Sequence, residues 1–306
     1  MFSPEDNSIV EKINKLKTEK NAIILAHNYQ VLEVQKVADF IGDSLQLAQK
    51  AKEVNADIIV FAGVRFMAET AKLLNPDVKV LLTAKEAGCP MADMIEPFQL
   101  QEFKAKHPEY QIVCYVNSSV EIKAECDVCV TSSNAVKIVE KLDSSRPILF
   151  VPDQNLGKYT QLKSRKTIKV WDGMCPIHHF IFTVKDIERV RKDYPDHTII
   201  VHPECQPEII KHADFACSTK GMADYAESHD KLILGTEIGL IEALQDKYPE
   251  KSILPLSNMA VCVNMKKTHL DDVLNVLENE VNEIKIDPEI ARKAVQAINK
   301  MLELSV

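Results

Sequence analysis

Glycine is scarce in this chain, eight of 306 residues or about 3% where ~7% is usual. Such scarcity predicts that each glycine stands where the backbone needs its freedom, and Gly42, Gly63, Gly88, Gly157, Gly173, Gly221, Gly235 and Gly239 are all read as loop positions. Positive charge is also in deficit: 37 basic against 45 acidic residues gives a net charge of -8, which speaks against a broad nucleic-acid footprint. No apolar run reaches the roughly 18 residues of a membrane span. The start, MFSPEDNSIVEKINKLKTEK, alternates charge with apolar residues at helical spacing and lacks the basic-apolar-small order of a leader. A soluble cytoplasmic protein with no nucleic-acid or membrane partner is the expectation. There is no G-x-G-x-x-G after a strand and no G-x-x-x-x-G-K-[ST], so no motif indicates a dinucleotide or a nucleoside triphosphate.

What the chain does contain is a threefold repeat. Ala38-Asp39-Phe40-Ile41-Gly42-Asp43-Ser44, Cys126-Asp127-Val128-Cys129-Val130-Thr131-Ser132 and Ala213-Asp214-Phe215-Ala216-Cys217-Ser218-Thr219 share one pattern of a small residue, Asp, a short apolar strand and a hydroxyl. The hydroxyls Ser44, Ser132 and Thr219 are 88 and 87 residues apart, and 17 residues before each stands a polar residue closing an apolar strand: His27, Tyr115 and His202. Cys89, Cys175 and Cys262 follow with spacings of 86 and 87. Between these landmarks apolar runs alternate with helical stretches, with strands near 22–26, 39–42, 57–62 and 78–82 in the first copy. Near-continuous apolar strands separated by helices imply parallel sheets covered on both faces, with ligands beyond the carboxyl ends of the strands. The expected fold is therefore α/β: three αβα sandwich domains related by pseudo-threefold symmetry around a central iron-sulfur site. The expected boundaries are an N-terminal helix over 1–21, repeats over 22–108, 109–196 and 197–265, and C-terminal helices over 266–306.

Symmetry brings Cys89, Cys175 and Cys262 to one place. Three thiolates can hold a 4Fe-4S cluster and leave one iron without a protein ligand, available as a Lewis acid. A Cys3His zinc site using His178 or His179 and three unrelated buried thiols are the rival readings. Cys126 and Cys129 form a lone C-x-x-C read as strand packing, as are Cys114 and Cys217; Cys205, in a His-Pro-Glu-Cys loop, is read as the more accessible thiol. Ser44, Ser132 and Thr219 are placed as helix caps converging on a ligand with several negative groups. His27-Asn28-Tyr29, Tyr115-Val116-Asn117 and His202-Pro203-Glu204 supply donors and acid-base groups, Glu204 being the expected proton shuttle. The loops Gly63–Glu69, Pro152–Gly157 and Gly235–Gly239 are placed around them as cavity walls or helix caps. Lys266 and Lys267 are read as a solvated helix face. A different iron-sulfur dehydratase and a non-enzymatic metal-bearing sensor are the competing functional classes.

Residues in order over nearly the whole chain resemble the quinolinate synthase family: Ala26-His27-Asn28-Tyr29-Gln30, Gly42-Asp43-Ser44-Leu45-Gln46, Phe66-Met67-Ala68-Glu69, Cys89-Pro90-Met91-Ala92, Tyr115-Val116-Asn117-Ser118, Pro152-Asp153, Asn155-Leu156-Gly157, Cys175-Pro176, His202-Pro203-Glu204-Cys205, Gly235-Thr236-Glu237 and Val261-Cys262-Val263-Asn264-Met265-Lys266. The resemblance implies an iron-sulfur transferase of NAD biosynthesis that condenses iminoaspartate with dihydroxyacetone phosphate to quinolinate, losing phosphate and two waters. It implies cluster ligands at Cys89, Cys175 and Cys262, and substrate contacts at His27, Ser44, Tyr115, Asn117, Ser132, His202, Glu204 and Thr219. Proton movement falls to Glu204 and His202, with Tyr29 closing over the site. An aspartate-oxidising enzyme is the implied source of iminoaspartate.

Overall fold

The computed structural model of the chain describes residues 4–305. Its strands fall into three sets of four. The first comprises β1 (Ala22–His27), β2 (Phe40–Gly42), β3 (Ile58–Ala62) and β4 (Lys79–Leu82). The second comprises β5 (Gln111–Tyr115), β6 (Val128–Val130), β7 (Ile148–Val151) and β8 (Ile168–Val170). The third comprises β9 (Thr198–Val201), β10 (Phe215–Ala216), β11 (Lys231–Gly235) and β12 (Ser252–Pro255). The sheets are ordered β2-β1-β3-β4, β6-β5-β7-β8 and β10-β9-β11-β12, one topology three times over. Every pairing is parallel. All five residues of β3 and of β5 are buried, as expected of strands in the middle of a sheet with helices on both faces. In each sheet the order reverses at the first strand, and the crevice beyond the carboxyl ends at such a switch point is where parallel α/β sheets bind ligands.

The repeated aspartates explain why the second strand of each set lies where it does. Asp39 Oδ2 accepts the Ile24 N–H at 2.8 Å, Asp127 Oδ2 that of Ile112 at 2.7 Å and Asp214 Oδ2 that of Ile199 at 2.7 Å. In return the backbone N–H of each aspartate donates to the carbonyl of the same residue, at 2.9, 3.0 and 3.0 Å. Each aspartate thus fastens a two- or three-residue edge strand to the start of the strand beside it, and satisfies a backbone donor that the short ladder leaves over.

By compactness the described chain divides into two units: residues up to Cys89 with Cys262–Ala291, and Pro90–Val261 with the residues from Arg292 onward. In the first unit the helices Pro4–Glu19 and Leu270–Asn279 pack on the first sheet, where Ile13, Ile24, Ala26 and Val60 meet Leu270, Val273, Val276 and Leu277. The second unit holds the other two sheets. There the end of helix Pro288–Leu304 is held by helix Ala135–Lys141, whose Lys137 and Lys141 ammonium groups donate to the carbonyls of Ser305 and Leu304 at 2.7 and 2.8 Å.

The loop reading holds for Gly63, Gly88 and Gly173 and is corrected by the structure for the other five glycines. Gly42 and Gly235 end strands, while Gly157, Gly221 and Gly239 lie inside helices. The reason is close packing rather than backbone freedom, since no glycine has a positive φ. At Gly157 a Cβ would meet Val170 Cγ1 at 2.6 Å and the Phe150 ring at 3.1 Å, so glycine lets helix Gln154–Ser164 lie directly on β7 and β8.

Candidate active site

In the first unit β1 ends at His27, and the Tyr29 N–H donates to His27 Nδ1 at 3.1 Å. That bond places the ring proton of a neutral His27 on Nε2. The Tyr29 ring stands edge-on to it, centroids 4.7 Å apart. The Tyr29 carbonyl accepts Lys266 Nζ at 2.8 Å, and Lys267 Nζ donates to the Glu86 carbonyl at 2.7 Å. Lys267 is exposed, as a solvated face requires, whereas Lys266 is half-buried; both sit in a 3-10 turn, Met265–Lys267, and tie the segment that returns from the third repeat to the loops after β1 and β4. Cys89 ends the first stretch of this unit and Cys262 opens the returning one; both are half-buried.

The predicted hydroxyl caps are also corrected, by one residue. Asp43 caps helix Ser44–Glu53 through a capping box with Gln46, and Ser218 caps helix Thr219–Ser228 through the Gly221 N–H. Asp43 and Ser218 have the extended backbone an N-cap requires, whereas Ser44 and Thr219 already occupy the first helical position. Ser132 lies in the turn before helix Ala135–Lys141, whose N-cap is Asn134. Ser44 and Thr219 still stand at helix N-termini beyond strand ends, and Ser132 in the turn between β6 and helix Ala135–Lys141, none of them serving as a cap.

The second unit gathers the acid-base groups. Tyr115, the last residue of β5, donates its hydroxyl to Glu204 Oε1 at 2.5 Å. Glu204 Oε2 lies 2.7 Å from His178 Nδ1, and His178 Nε2 lies 3.1 Å from Thr236 Oγ1. His202 stacks on His178, centroids 4.5 Å apart at 26°. The Glu204 N–H donates to His202 Nδ1 at 3.3 Å, the same strand-end turn that His27 and Tyr29 make in the first repeat. Tyr115, His178, His202, Glu204 and Thr236 are all buried. The Asn117 Oδ1 is buried with no hydrogen-bond partner in the protein, an acceptor at the strand end left for something else.

Burial alone would raise the Glu204 carboxyl, but the charges of His178 and His202 and the bonds from His178 and Tyr115 hold it well below the usual carboxylate range. Asp153 goes the other way: burial and the neighbouring Glu204 push it well above that range, against hydrogen bonds from the N–H groups of Leu156, Cys175 and Asn155. Two buried carboxyls are thus driven apart, one toward the ionised form and one toward the protonated form, the pattern that separates a base from an acid.

Asp153 does two structural tasks at once. Its Oδ1 accepts the Leu156 N–H at 2.6 Å and caps helix Gln154–Ser164, while its Oδ2 accepts the Cys175 N–H at 3.2 Å. Gly173 lets the cysteine loop come this close, because a Cβ there would meet the Pro152 carbonyl at 2.5 Å. Asn155 Nδ2 bonds the Glu204 carbonyl oxygen and His179 Nδ1, both at 2.9 Å. Ligand atoms of Cys175, His178 and Glu204 all lie within 4.8 Å of one another, a group able to hold a metal ion.

None of the eight cysteines is in a disulfide. Cys89, Cys175 and Cys262 occupy equivalent places, each half-buried in the segment after the fourth strand of its set. Cys205 is fully buried rather than accessible; its loop folds inward because the Cys205 N–H donates to the His202 carbonyl at 2.9 Å, and burial followed by the Glu204 charge pushes its thiol up. Cys217 is pushed up to about 12 by burial and by Asp224. Cys126 precedes β6 instead of lying on it. No helix among the described residues is long and apolar enough to cross a membrane.

The profile of the quinolinate synthetase A protein family matches residues 11–303. The chain belongs to the quinolinate synthase family. It is 48% identical over 304 residues to a quinolinate synthase from Alkaliphilus metalliredigens, 98% of this chain and 99% of the relative. Over 303 residues it is 51% identical to a quinolinate synthase from Clostridium acetobutylicum, again 98% and 99%. A Pyrococcus abyssi quinolinate synthase is 49% identical over 299 residues, 97% of this chain and 99% of that one. This member of the quinolinate synthase family is accordingly an enzyme. Sequence reasoning gave His178 only as a rival zinc ligand, and read the loops of Asp153, Asn155 and Thr236 as cavity walls or helix caps, a reading Asp153 meets by capping helix Gln154–Ser164. The signal for His178 was its position three residues after Cys175, one helical turn along and on the same face.

Proposed function

We propose that the chain is a quinolinate synthase of NAD biosynthesis acting in the cytoplasm, condensing iminoaspartate with dihydroxyacetone phosphate to quinolinate with loss of phosphate and two waters. An aspartate-oxidising enzyme supplies the iminoaspartate. The observation that carries this reading is the buried Tyr115–Glu204–His178–Thr236 chain set against Cys175, an acid-base relay beside a thiol ligand.

Cys89, Cys175 and Cys262 are the residues that would hold a 4Fe-4S cluster. They fit it as three half-buried thiols at equivalent strand ends, whereas His178 and Glu204 are already committed to each other. Bound there, the cluster supplies a Lewis-acidic iron. The protein's own groups do the rest. Ser44 and Thr219, at helix N-termini, and Ser132, in the turn after β6, hold the carboxylates and phosphate. His27, Tyr115 and Asn117 orient the substrate oxygens. Glu204, kept ionised, takes a proton from substrate carbon, and His202 donates one to a departing hydroxyl. Tyr29 closes over the site and excludes water from the imine.

The test is quinolinate formation, read by chromatography, with anaerobically purified, iron- and sulfide-reconstituted protein given dihydroxyacetone phosphate and freshly generated iminoaspartate. Wild type is expected to form quinolinate, and Cys89→Ser to form none and retain less iron. Fully reconstituted wild type that forms no quinolinate overturns the substrate assignment.

A further inference from the structure

Three cysteines outside that site are gathered at the edge of the second sheet. Cys114 in β5 and Cys129 in β6 are register partners, so their Cα atoms lie about 4.8 Å apart with side chains on the same face. That separation is inside the ~4.4–6.8 Å range over which disulfides form. Both residues are fully buried, whereas Cys126 is half-buried, its thiol donating to the Ile122 carbonyl at 3.0 Å from the turn just before β6. The Lys123 side chain, wholly buried, places its charge near Cys114. β6 is an edge strand of three residues, so it can yield toward β5 without displacing a neighbour.

We propose that Cys114, Cys126 and Cys129 form a thiol–disulfide exchange site that takes a small external disulfide as co-reactant and ends as a Cys114–Cys129 disulfide. Cys126 is the entry. Its thiolate attacks one sulfur of the external disulfide, forming a mixed disulfide and releasing one thiol. Cys114 then attacks Cys126 Sγ and expels the second thiol, and Cys129 attacks Cys114 Sγ and returns Cys126 to its thiol. Two protein thiols are oxidised, one external disulfide is reduced to two thiols, and the two protein protons leave on those thiols. Burial raises the Cys114 thiol, yet contacts with Cys126, Cys129 and Ser118 and the Lys123 charge outweigh it and hold Cys114 well below its usual value. Cys126 is pushed up by burial and by Cys114, so entry is slow at neutral pH and quickens as pH rises. The product draws together the ends of β5 and β6, from which Tyr115 and the Thr131–Ser132 turn continue.

The test uses the whole, anaerobically purified protein incubated with oxidised glutathione, then alkylated, digested with trypsin and mapped by mass spectrometry. Peptide 107–123 carries Cys114, and peptide 124–137 carries Cys126 and Cys129; fragmentation between the last two assigns the bond. A Cys114–Cys129 link is expected, reversed by dithiothreitol, forming faster at pH 8.5 than at pH 7. Cys126→Ser and Cys126→Ala are each expected to slow it roughly ten-fold. Full alkylation of all three cysteines in wild type after prolonged incubation overturns the proposal. So does unchanged formation in both Cys126 variants, or formation only in urea.

Discussion

The Tyr115 hydroxyl and the Glu204 carboxylate, 89 residues apart in the chain, meet at 2.5 Å. Each stands at or just beyond the end of the first strand of its sheet, so one hydrogen bond joins corresponding ends of two repeats inside the second unit. A bond made to a charged partner in a buried setting is worth about 1.5–3 kcal/mol. It also leaves Glu204 Oε2 to His178, so the two oxygens have different duties.

That division predicts a non-additive pair. Glu204→Gln is expected to lower quinolinate formation by ~10²–10⁴-fold, the usual span for loss of a general base. Tyr115→Phe is expected to lower it roughly ten- to hundred-fold, from the loss of one charged hydrogen bond. The double variant should be no slower than Glu204→Gln alone, because the tyrosine then has no carboxylate to serve. Steady-state kinetics of the three variants checks this, and multiplicative losses would refute the coupling.

Glu204 also predicts an acid limb of stability. Its folded value is depressed relative to an unfolded value near ~4.3, since the His178 and His202 charges outweigh burial. Its contribution is therefore present above about pH 4.3 and lost as pH falls through the depressed folded value. Urea midpoints measured from pH 5 to pH 3 should fall more steeply for wild type than for Glu204→Gln. Parallel curves would mean the carboxylate gains nothing from its partners.

Asp127 offers a test of the strand clasp. Asp127→Ala removes the acceptor for the Ile112 N–H and is expected to cost about 1–3 kcal/mol. Asp127→Asn keeps an acceptor oxygen and should recover most of that. Asp39 and Asp214 carry extra ion pairs, to Lys17 at 2.6 Å and Arg191 at 2.9 Å, so alanine at those sites should cost at least as much. Urea unfolding of the four variants gives the comparison.

Gly157→Ala should destabilise by about 1–3 kcal/mol, as overpacking does, because the new methyl meets Val170 Cγ1 at 2.6 Å. Adding Val170→Ala removes that atom and should return part of the loss. If the single variant unfolds at the wild-type temperature, the close approach of helix and sheet is not what glycine provides there.

The fold was legible because each repeat writes its strands as apolar runs and its punctuation as Asp, hydroxyl and cysteine at fixed distances. The aspartate landmark had a structural cause, the clasp to Ile24, Ile112 and Ile199, that no pattern of hydrophobicity shows. The site was legible where it lay on the repeat: Tyr115, His202 and Glu204 mark strand ends. His178 and Thr236 were not, since neither recurs in register and their role arises only when a short helix after Cys175 packs against the loop after β11. Capping was misplaced by one residue because Asp43-Ser44 and Ser218-Thr219 each offer two capping side chains in a row, and only backbone angles decide between them. Glycine misled for a related reason: sequence shows a missing side chain, while its cause, Val170 above Gly157 or Pro152 beside Gly173, belongs to packing.

The first sheet is finished by residues made last. Ile13, Ile24 and Ala26 share one core with Val273, Val276 and Leu277, and Leu277 leaves the ribosome 195 residues after β4 ends at Leu82. At ~5–20 residues per second the apolar face that will receive helix Leu270–Asn279 waits about 10–40 s for its cover. The N-terminal third of the molecule therefore matures only after the other two sheets have been synthesised, and the nascent chain carries a sticky surface through most of its own translation.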